Sequence, residues 1–176
     1  MKIIKTKFKD LIIIQSKEHL DKRGSFRELF RENFLKKEKF PFVCVSSSIK
    51  NVLRGMHIQY KFSQAKLVSA LEGRIFDVAV DLRKNSKTFG QYFSLELSKN
   101  NGLSIFIPKG FAHGFVGLDK KNTILYLLSN YRHKNFEKGI MWNDKDLKIN
   151  WPVNKPKISN KDKKNISLKE YLEKYV

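Results

Sequence analysis

Between Val43 and Asn130 the chain is a train of short, alternating apolar runs cut by turn residues, and that pattern excludes most folds. In the run Arg74 to Leu82, the residues Phe76, Val78, Val80 and Leu82 share one face, and Ile75, Asp77, Ala79 and Asp81 the other. Such alternation belongs to a strand, whose successive side chains point to opposite sides. Further runs span Phe89 to Leu97, Leu103 to Ile107 and Thr123 to Leu128. Lys99-Asn100-Asn101-Gly102, Pro108-Lys109-Gly110 and Asp119-Lys120-Lys121-Asn122 separate them with glycine, proline and Asn/Asp turn chemistry. This spacing predicts an antiparallel β-sandwich or barrel rather than βαβ units.

Helices should be few and short. One is expected near Arg31 to Glu38. Another is expected to close the chain, where Ser167-Leu168-Lys169-Glu170 has capping-box spacing and Leu168, Tyr171, Leu172 and Tyr175 recur at helical intervals. Trp142, Trp151 and Pro152 mark a loop-rich segment expected to fold back over the sheet. With no repeat and no linker, residues 1–176 read as a single domain whose lysine-rich segment 153–176 ends in the short helix. The longest aliphatic run, Leu11 to Ile14, is far too short to span a bilayer, and the Met1 to Lys5 start lacks the apolar stretch of a signal peptide. We therefore expect a cytoplasmic protein with no membrane partner. A single cysteine, Cys44, excludes an intrachain disulfide framework and a cysteine-clustered zinc site. Thirty-six Lys and Arg against 17 Asp and Glu give a net charge of +19. The lysines are scattered over turns and the tail, with no interleaved aromatic platform and no helix-turn-helix, so they read as a solvated surface rather than a nucleic-acid interface.

Candidate chemistry lies in three stretches: Val52-Leu53-Arg54-Gly55-Met56-His57-Ile58-Gln59, Gln64-Ala65-Lys66-Leu67-Val68, and Pro108-Lys109-Gly110-Phe111-Ala112-His113. His57 and Gln59 share strand parity, and Gly55 could allow a bulge that turns Arg54 toward the same barrel mouth. By itself His57 also reads as a hydrogen-bonded core histidine. The last stretch has the P-x-G-x-x-H form of the second cupin motif, and His57-Ile58-Gln59 stands where the first would carry His-x-His. Gln59 replaces the second imidazole and the cation Lys66 follows closely, so no metal and no other cofactor is expected.

With these stretches in order, joined by Asp21 to Phe30, Phe76 to Arg83, Leu125-Tyr126, Glu137 with Trp142-Asn143-Asp144, Ile149 to Pro152 and Ser159 to Asp162, the chain resembles the dTDP-4-dehydrorhamnose 3,5-epimerase family of cupin-like sugar-nucleotide epimerases. The resemblance covers nearly the whole sequence. It implies a jelly-roll barrel, a homodimer, and proton exchange beside the C4 ketone of a nucleotide-diphosphate sugar on the way to surface polysaccharide. It further implies His57 as the base, Asp162 as its orienting partner, Tyr126 as the opposing acid and Lys66 as the stabiliser of the enolate oxygen. Arg23 and Arg54 match positions that hold the diphosphate, Glu28 a base-contacting carboxylate, and His113 a second active-site histidine.

The residue types suit the roles. A neutral imidazole is the natural base near neutral pH, a carboxylate on its other nitrogen fixes its tautomer, and a cation offsets charge developing on the ketone oxygen. Two departures fall on the nucleotide and sugar side: Phe42-Val43-Cys44 stands where the family usually has Gln-x-Asn, and Tyr131-Arg132 where a tyrosine pair is common. They leave open a GDP- or CDP-linked 4-keto hexose or heptose. A C3-only epimerase or ketoisomerase on the same scaffold, and a non-catalytic nucleotide-sugar or nucleic-acid binding protein, are the rival readings.

Overall fold

The computed structural model describes residues 1–176 and contains two antiparallel sheets packed face to face, a hairpin and one α-helix. The strands are β1 (Lys2–Lys5), β2 (Ile12–Gln15), β3 (Glu18–Asp21), β4 (Gly24–Arg27), β5 (Phe42–Ser48), β6 (Leu53–Gln59), β7 (Lys66–Glu72), β8 (Arg74–Asp81), β9 (Tyr92–Ser98), β10 (Leu103–Ile107), β11 (Phe111–Gly117), β12 (Asn122–Leu128) and β13 (Glu137–Gly139). Six of them form one sheet in the order β1-β2-β10-β7-β12-β5, and five the other in the order β13-β6-β11-β8-β9. Chain neighbours lie in different sheets at several points, the jelly-roll solution to closing a sandwich. The antiparallel, cupin-like fold expected from the sequence is the one observed.

Between the sheets lie Val68, Ala70, Ile75, Ala79, Ile105, Ile107, Phe111, Phe115 and Ile124, all buried. The other face of β8 does not meet solvent. Phe76, Val78, Val80 and Leu82 pack under Trp151, Leu168 and Tyr171 of the carboxy-terminal segment. Thus β8 is buried on both faces, and its more apolar face looks away from the barrel interior. The residues from Trp142 to Trp151 fold back over this sheet as expected, with Trp151 Nε1 donating to Trp142 O at 2.8 Å.

The helix α1 (Leu168–Tyr175) begins at Ser167, whose hydroxyl accepts from Glu170 N at 3.1 Å. Only half of the capping box forms, because the Glu170 carboxylate turns to Lys174 at 2.7 Å. Asp144 completes the cap by accepting from Leu168 N at 2.9 Å. Burial of Leu168 and Tyr171 docks the helix, at about 1.5–3 kcal/mol for each such side chain.

The helix expected over Arg31 to Glu38 is instead one 3₁₀ turn, Glu32–Phe34. Phe30, Leu35 and Phe40 all pack on the outer face of the six-stranded sheet. Their spacing of five cannot line one side of a helix turning about 100° per residue, and the chain seats all three with the 3₁₀ turn and a second turn closed by Glu38 N to Leu35 O at 2.9 Å. The run expected from Phe89 begins as a strand only at Tyr92, after a turn at Gly90 with φ +73°.

Candidate active site

A cavity of about 740 Å³ opens between the sheets at one end of the barrel. Strand parity decides what enters it. On β11, Phe111, His113 and Phe115 point inward, and His113 sits opposite His57 of β6. The register then slips: Phe115 pairs with Arg54, so two residues of β6, Gly55 and Met56, face one residue of β11. The bulge puts Arg54 and His57, three apart in sequence, at the same mouth. Gly55 has φ +132°, and a Cβ there would stand 2.5 Å from Gly114 Cα. Only glycine fits such a crossing.

His57 Nε2 lies 2.7 Å from Asp162 Oδ1. Asp162 begins a 3₁₀ turn, Asp162–Lys164, in a strap tied to the sheet by Leu53 N to Lys157 O at 2.9 Å and by Asn165 Nδ2 to Gly55 O at 3.1 Å. Its second oxygen accepts from Gly55 N at 3.3 Å. Burial works to raise this carboxyl, but the hydrogen bond and charge of His57 hold it below the ordinary carboxylate range. An ionised carboxylate only accepts, so the proton of neutral His57 sits on Nε2 and the Nδ1 lone pair is free.

The six-stranded sheet supplies the facing wall. Lys66 of β7 and Tyr126 of β12 share inward parity with Val68, which pairs with Tyr126. Burial lowers the Lys66 ammonium from 10.5 to about 8, against the opposing pull of Glu137 and Asp77. Burial also raises the Tyr126 phenol well above its ordinary value, so it is a proton carrier at neutral pH. Its hydroxyl lies 3.3 Å from Ser46 Oγ. His113 and Tyr126 meet edge to face, with ring centroids 6.3 Å apart.

Of the residues singled out in the sequence, His57, Asp162, Tyr126, Lys66, Arg54 and His113 converge on this cavity. Arg23 and Glu28 do not. Arg23 lies at the tip of the β3–β4 hairpin, 90% exposed and paired with Asp21, and Glu28 forms a bidentate pair with Arg31. Neither lines the cavity of its own chain, and the side chains of the hairpin are mostly exposed. Arg54 donates to Ser48 Oγ at 2.9 Å and Ser47 O at 3.1 Å, which fixes its fork at the rim.

Asp77 escaped the sequence reading, and the structure gives Gln59 and the departures from the family pattern their places. Asp77 is fully buried and accepts from His113 Nε2 at 2.8 Å, while its Oδ1 has no partner. An acidic residue at the inward parity of β8, between Ile75 and Ala79, was the available signal. Gln59 is spent on backbone: its amide donates to Phe62 O and Tyr131 O and accepts from His133 N at 2.7 Å. Phe42, Cys44 and Arg132, the departures from the family pattern, line one side of the cavity, where burial raises the Cys44 thiol against the nearby charges of Lys66 and Arg132. No group of three or more His, Cys, Asp or Glu side chains is arranged to hold a metal ion, and no helix is long and apolar enough to cross a membrane.

Comparison with known proteins points the same way. A family model described as dTDP-4-dehydrorhamnose 3,5-epimerase matches residues 5–170. An enzyme of that description from Shigella flexneri is 42% identical over 168 residues, covering 92% of this chain and 93% of the relative. The crystal structure of a dTDP-4-dehydrorhamnose 3,5-epimerase from Elizabethkingia anophelis superimposes with a TM-score of 0.91 at 41% identity, covering 100% of this chain and 99% of that one. A dTDP-6-deoxy-D-glucose-3,5-epimerase from Legionella pneumophila, solved in complex with dTDP-4-keto-L-rhamnose, gives a TM-score of 0.91 at 41% identity over 96% of this chain and 93% of that one.

Proposed function

The chain belongs to the dTDP-4-dehydrorhamnose 3,5-epimerase family and is an isomerase of that type, and from this premise we propose that it inverts C3 and C5 of dTDP-4-keto-6-deoxyhexose by His/Tyr proton transfer. The observation that carries the mechanism is the division of labour between the sheets. The oriented imidazole comes from β6, and the cation and phenol come from β7 and β12 across the cavity. A sugar ring held between them presents one face to His57 and the other to Tyr126.

In the proposed step His57 Nδ1 takes the proton from the carbon beside the ketone. The C–H electrons form the C=C bond of an enolate, and the carbonyl π pair moves onto O4. The Lys66 ammonium offsets that charge, a type of contribution worth about 10²–10³ in rate. Tyr126 then gives its phenolic proton to the opposite face of the carbon, and C=O re-forms. The protonated His57 then releases its extra proton to solvent and the Tyr126 phenolate takes one up, which resets both groups before the second centre reacts. The Arg54 guanidinium at the rim suits diphosphate oxygens.

Arg23 and Glu28 enter this reading through a homodimer. The β3–β4 hairpin carries Leu20 and Phe26, 77% and 71% exposed, and a two-stranded hairpin is marginal alone. Seated on a second copy, it would cover those side chains and bring Arg23 and Glu28 to a nucleotide in the neighbouring cavity. The free thiol of Cys44 fits a reducing, cytoplasmic setting, and the product would serve synthesis of rhamnose-like sugars for capsule or lipopolysaccharide.

The wall formed by Phe42, Cys44 and Arg132 supports one alternative, a GDP- or CDP-linked 4-keto sugar. Proton NMR in D₂O with dTDP-, GDP- and CDP-linked 4-keto sugars tests both readings. Deuterium entering C3 and C5 of the dTDP sugar with inversion is the expected result. Exchange at C3 alone would replace it with a monoepimerase, and no exchange in any sugar would sink the catalytic reading.

A further inference from the structure

Glu137 is a half-buried carboxylate at the cavity rim that the proton transfers above do not use. It opens β13, opposite Gln59 of β6, and its side chain is 11% exposed. Arg132 Nε donates to one of its oxygens at 2.5 Å and Arg132 Nη2 to the other at 3.3 Å, while Lys161 forms an ion pair with the latter. Burial works to raise the Glu137 carboxyl, and the two cations overcome it and pull it down to about 2. Arg132 cannot easily drift, because Gln59 clamps the carbonyl before it and the amide after it. Lys161 immediately precedes Asp162, and its charge is already felt at the Asp162 carboxylate. An ammonium beside two carboxylates chooses between them, and here Glu137 holds it.

We propose that Glu137 is a positioning residue: by retaining Lys161, it leaves Asp162 to His57 alone and thereby fixes the His57 proton on Nε2. Without that carboxylate, Lys161 is left with the adjacent Asp162, whose carboxylate already feels its charge. A Lys161–Asp162 pair would compete with the 2.7 Å contact to His57 and let the imidazole sample the tautomer whose Nδ1 carries the proton. Such a ring cannot take a proton through Nδ1. The consequence for rate rests on the epimerase reading, whereas the effect on tautomer does not.

The test is ¹⁵N NMR of histidine-labelled protein without ligand, at a pH where the ring is neutral. Wild type is expected to show His57 as the Nε2–H form. Glu137→Gln should convert it to a mixture and slow solvent exchange of the sugar by up to about 10²-fold, the scale of a misplaced reacting group. Glu137→Gln combined with Lys161→Gln removes the freed competitor and should restore the single tautomer, whatever it does to substrate affinity. An unmixed Nε2–H form in Glu137→Gln, or a mixture that persists in the double variant, overturns the proposal. If Glu137→Gln fails to fold, Lys161→Gln alone decides: the Nε2–H form should persist, and its loss would show that Lys161 supports the dyad rather than competing with it. Absence of sugar exchange in wild type would defeat the epimerase reading and leave the tautomer result to judge Glu137.

Discussion

Two His–Asp pairs stand on neighbouring strands of one sheet, opposite each other in register, with nearly equal hydrogen bonds of 2.7 Å for His57–Asp162 and 2.8 Å for His113–Asp77. Their surroundings differ. The His57 side chain is 29% exposed to the cavity, and its carboxylate arrives on a strap from 105 residues away in sequence. His113 is 5% exposed, its aspartate comes from the adjacent strand, and burial lowers its affinity for a second proton despite the opposing charge of Asp77. Access, rather than hydrogen-bond geometry, therefore distinguishes the two pairs, although both imidazoles line the cavity.

Single substitutions should break this symmetry in opposite ways. His57→Ala is expected to slow deuterium entry at both C3 and C5 by about 10²–10⁴-fold, the usual worth of a general base. Its urea-unfolding midpoint should stay near that of wild type, because Asp162 keeps the Gly55 amide as a donor. His113→Ala should do the reverse in the unfolding assay, losing about 3–5 kcal/mol, since it strands the Asp77 carboxylate in the interior. Equal stability of the two variants would mean that the pairs do not differ as described.

Lys66→Met should cost about 10²–10³ in exchange rate with a smaller change in substrate binding, measured as kcat against KM. The same ammonium gives a pH dependence. It is charged below about 8 and neutral above, so exchange should decline as pH rises through that value. A flat alkaline limb in wild type would remove Lys66 from charge stabilisation.

Tyr126→Phe sharpens the contrast between the two walls of the cavity. His57 should still withdraw a proton and return deuterium to the same face, so exchange should outlast inversion when both are integrated in one NMR series. Parallel loss of both signals would make Tyr126 a binding group. The smallest expected effect is none: activity should survive EDTA, because the Gln59 amide is committed to backbone groups and Lys66 occupies the interior beside it. Stoichiometric zinc, iron or manganese on His57 and His113 would overturn that expectation.

The sequence displayed the inner strands and the β6 bulge plainly, since period-two alternation and a glycine between Arg54 and Met56 are local signals. It hid which face of β8 looked inward. The more apolar face serves the carboxy-terminal cover, and only the assembled fold shows that this cover exists. Strands β1 to β4 went unread because each has four residues, too few for periodicity to speak. Lys66, Tyr126 and Asp162 are all reached only by resemblance, because alternation does not say which face of β7 or β12 looks inward and Asp162 lies among tail lysines. The placement of Arg23 and Glu28 outside their own chain's cavity depends on the direction of a hairpin, which alternation does not encode.

The strap that delivers Asp162 continues into α1, whose Leu168 and Tyr171 seal the outer face of the five-stranded sheet. Activity is thereby linked to a local equilibrium. Segments at the edge of a fold open with free energies well below that of global unfolding, and each 1.4 kcal/mol lost from the docked state multiplies the open population about tenfold. An open molecule keeps its barrel, its lysine and its phenol, yet its imidazole is unaligned. On warming, catalysis should thus fade while most of the β structure persists, making turnover a thermometer for one edge of the molecule.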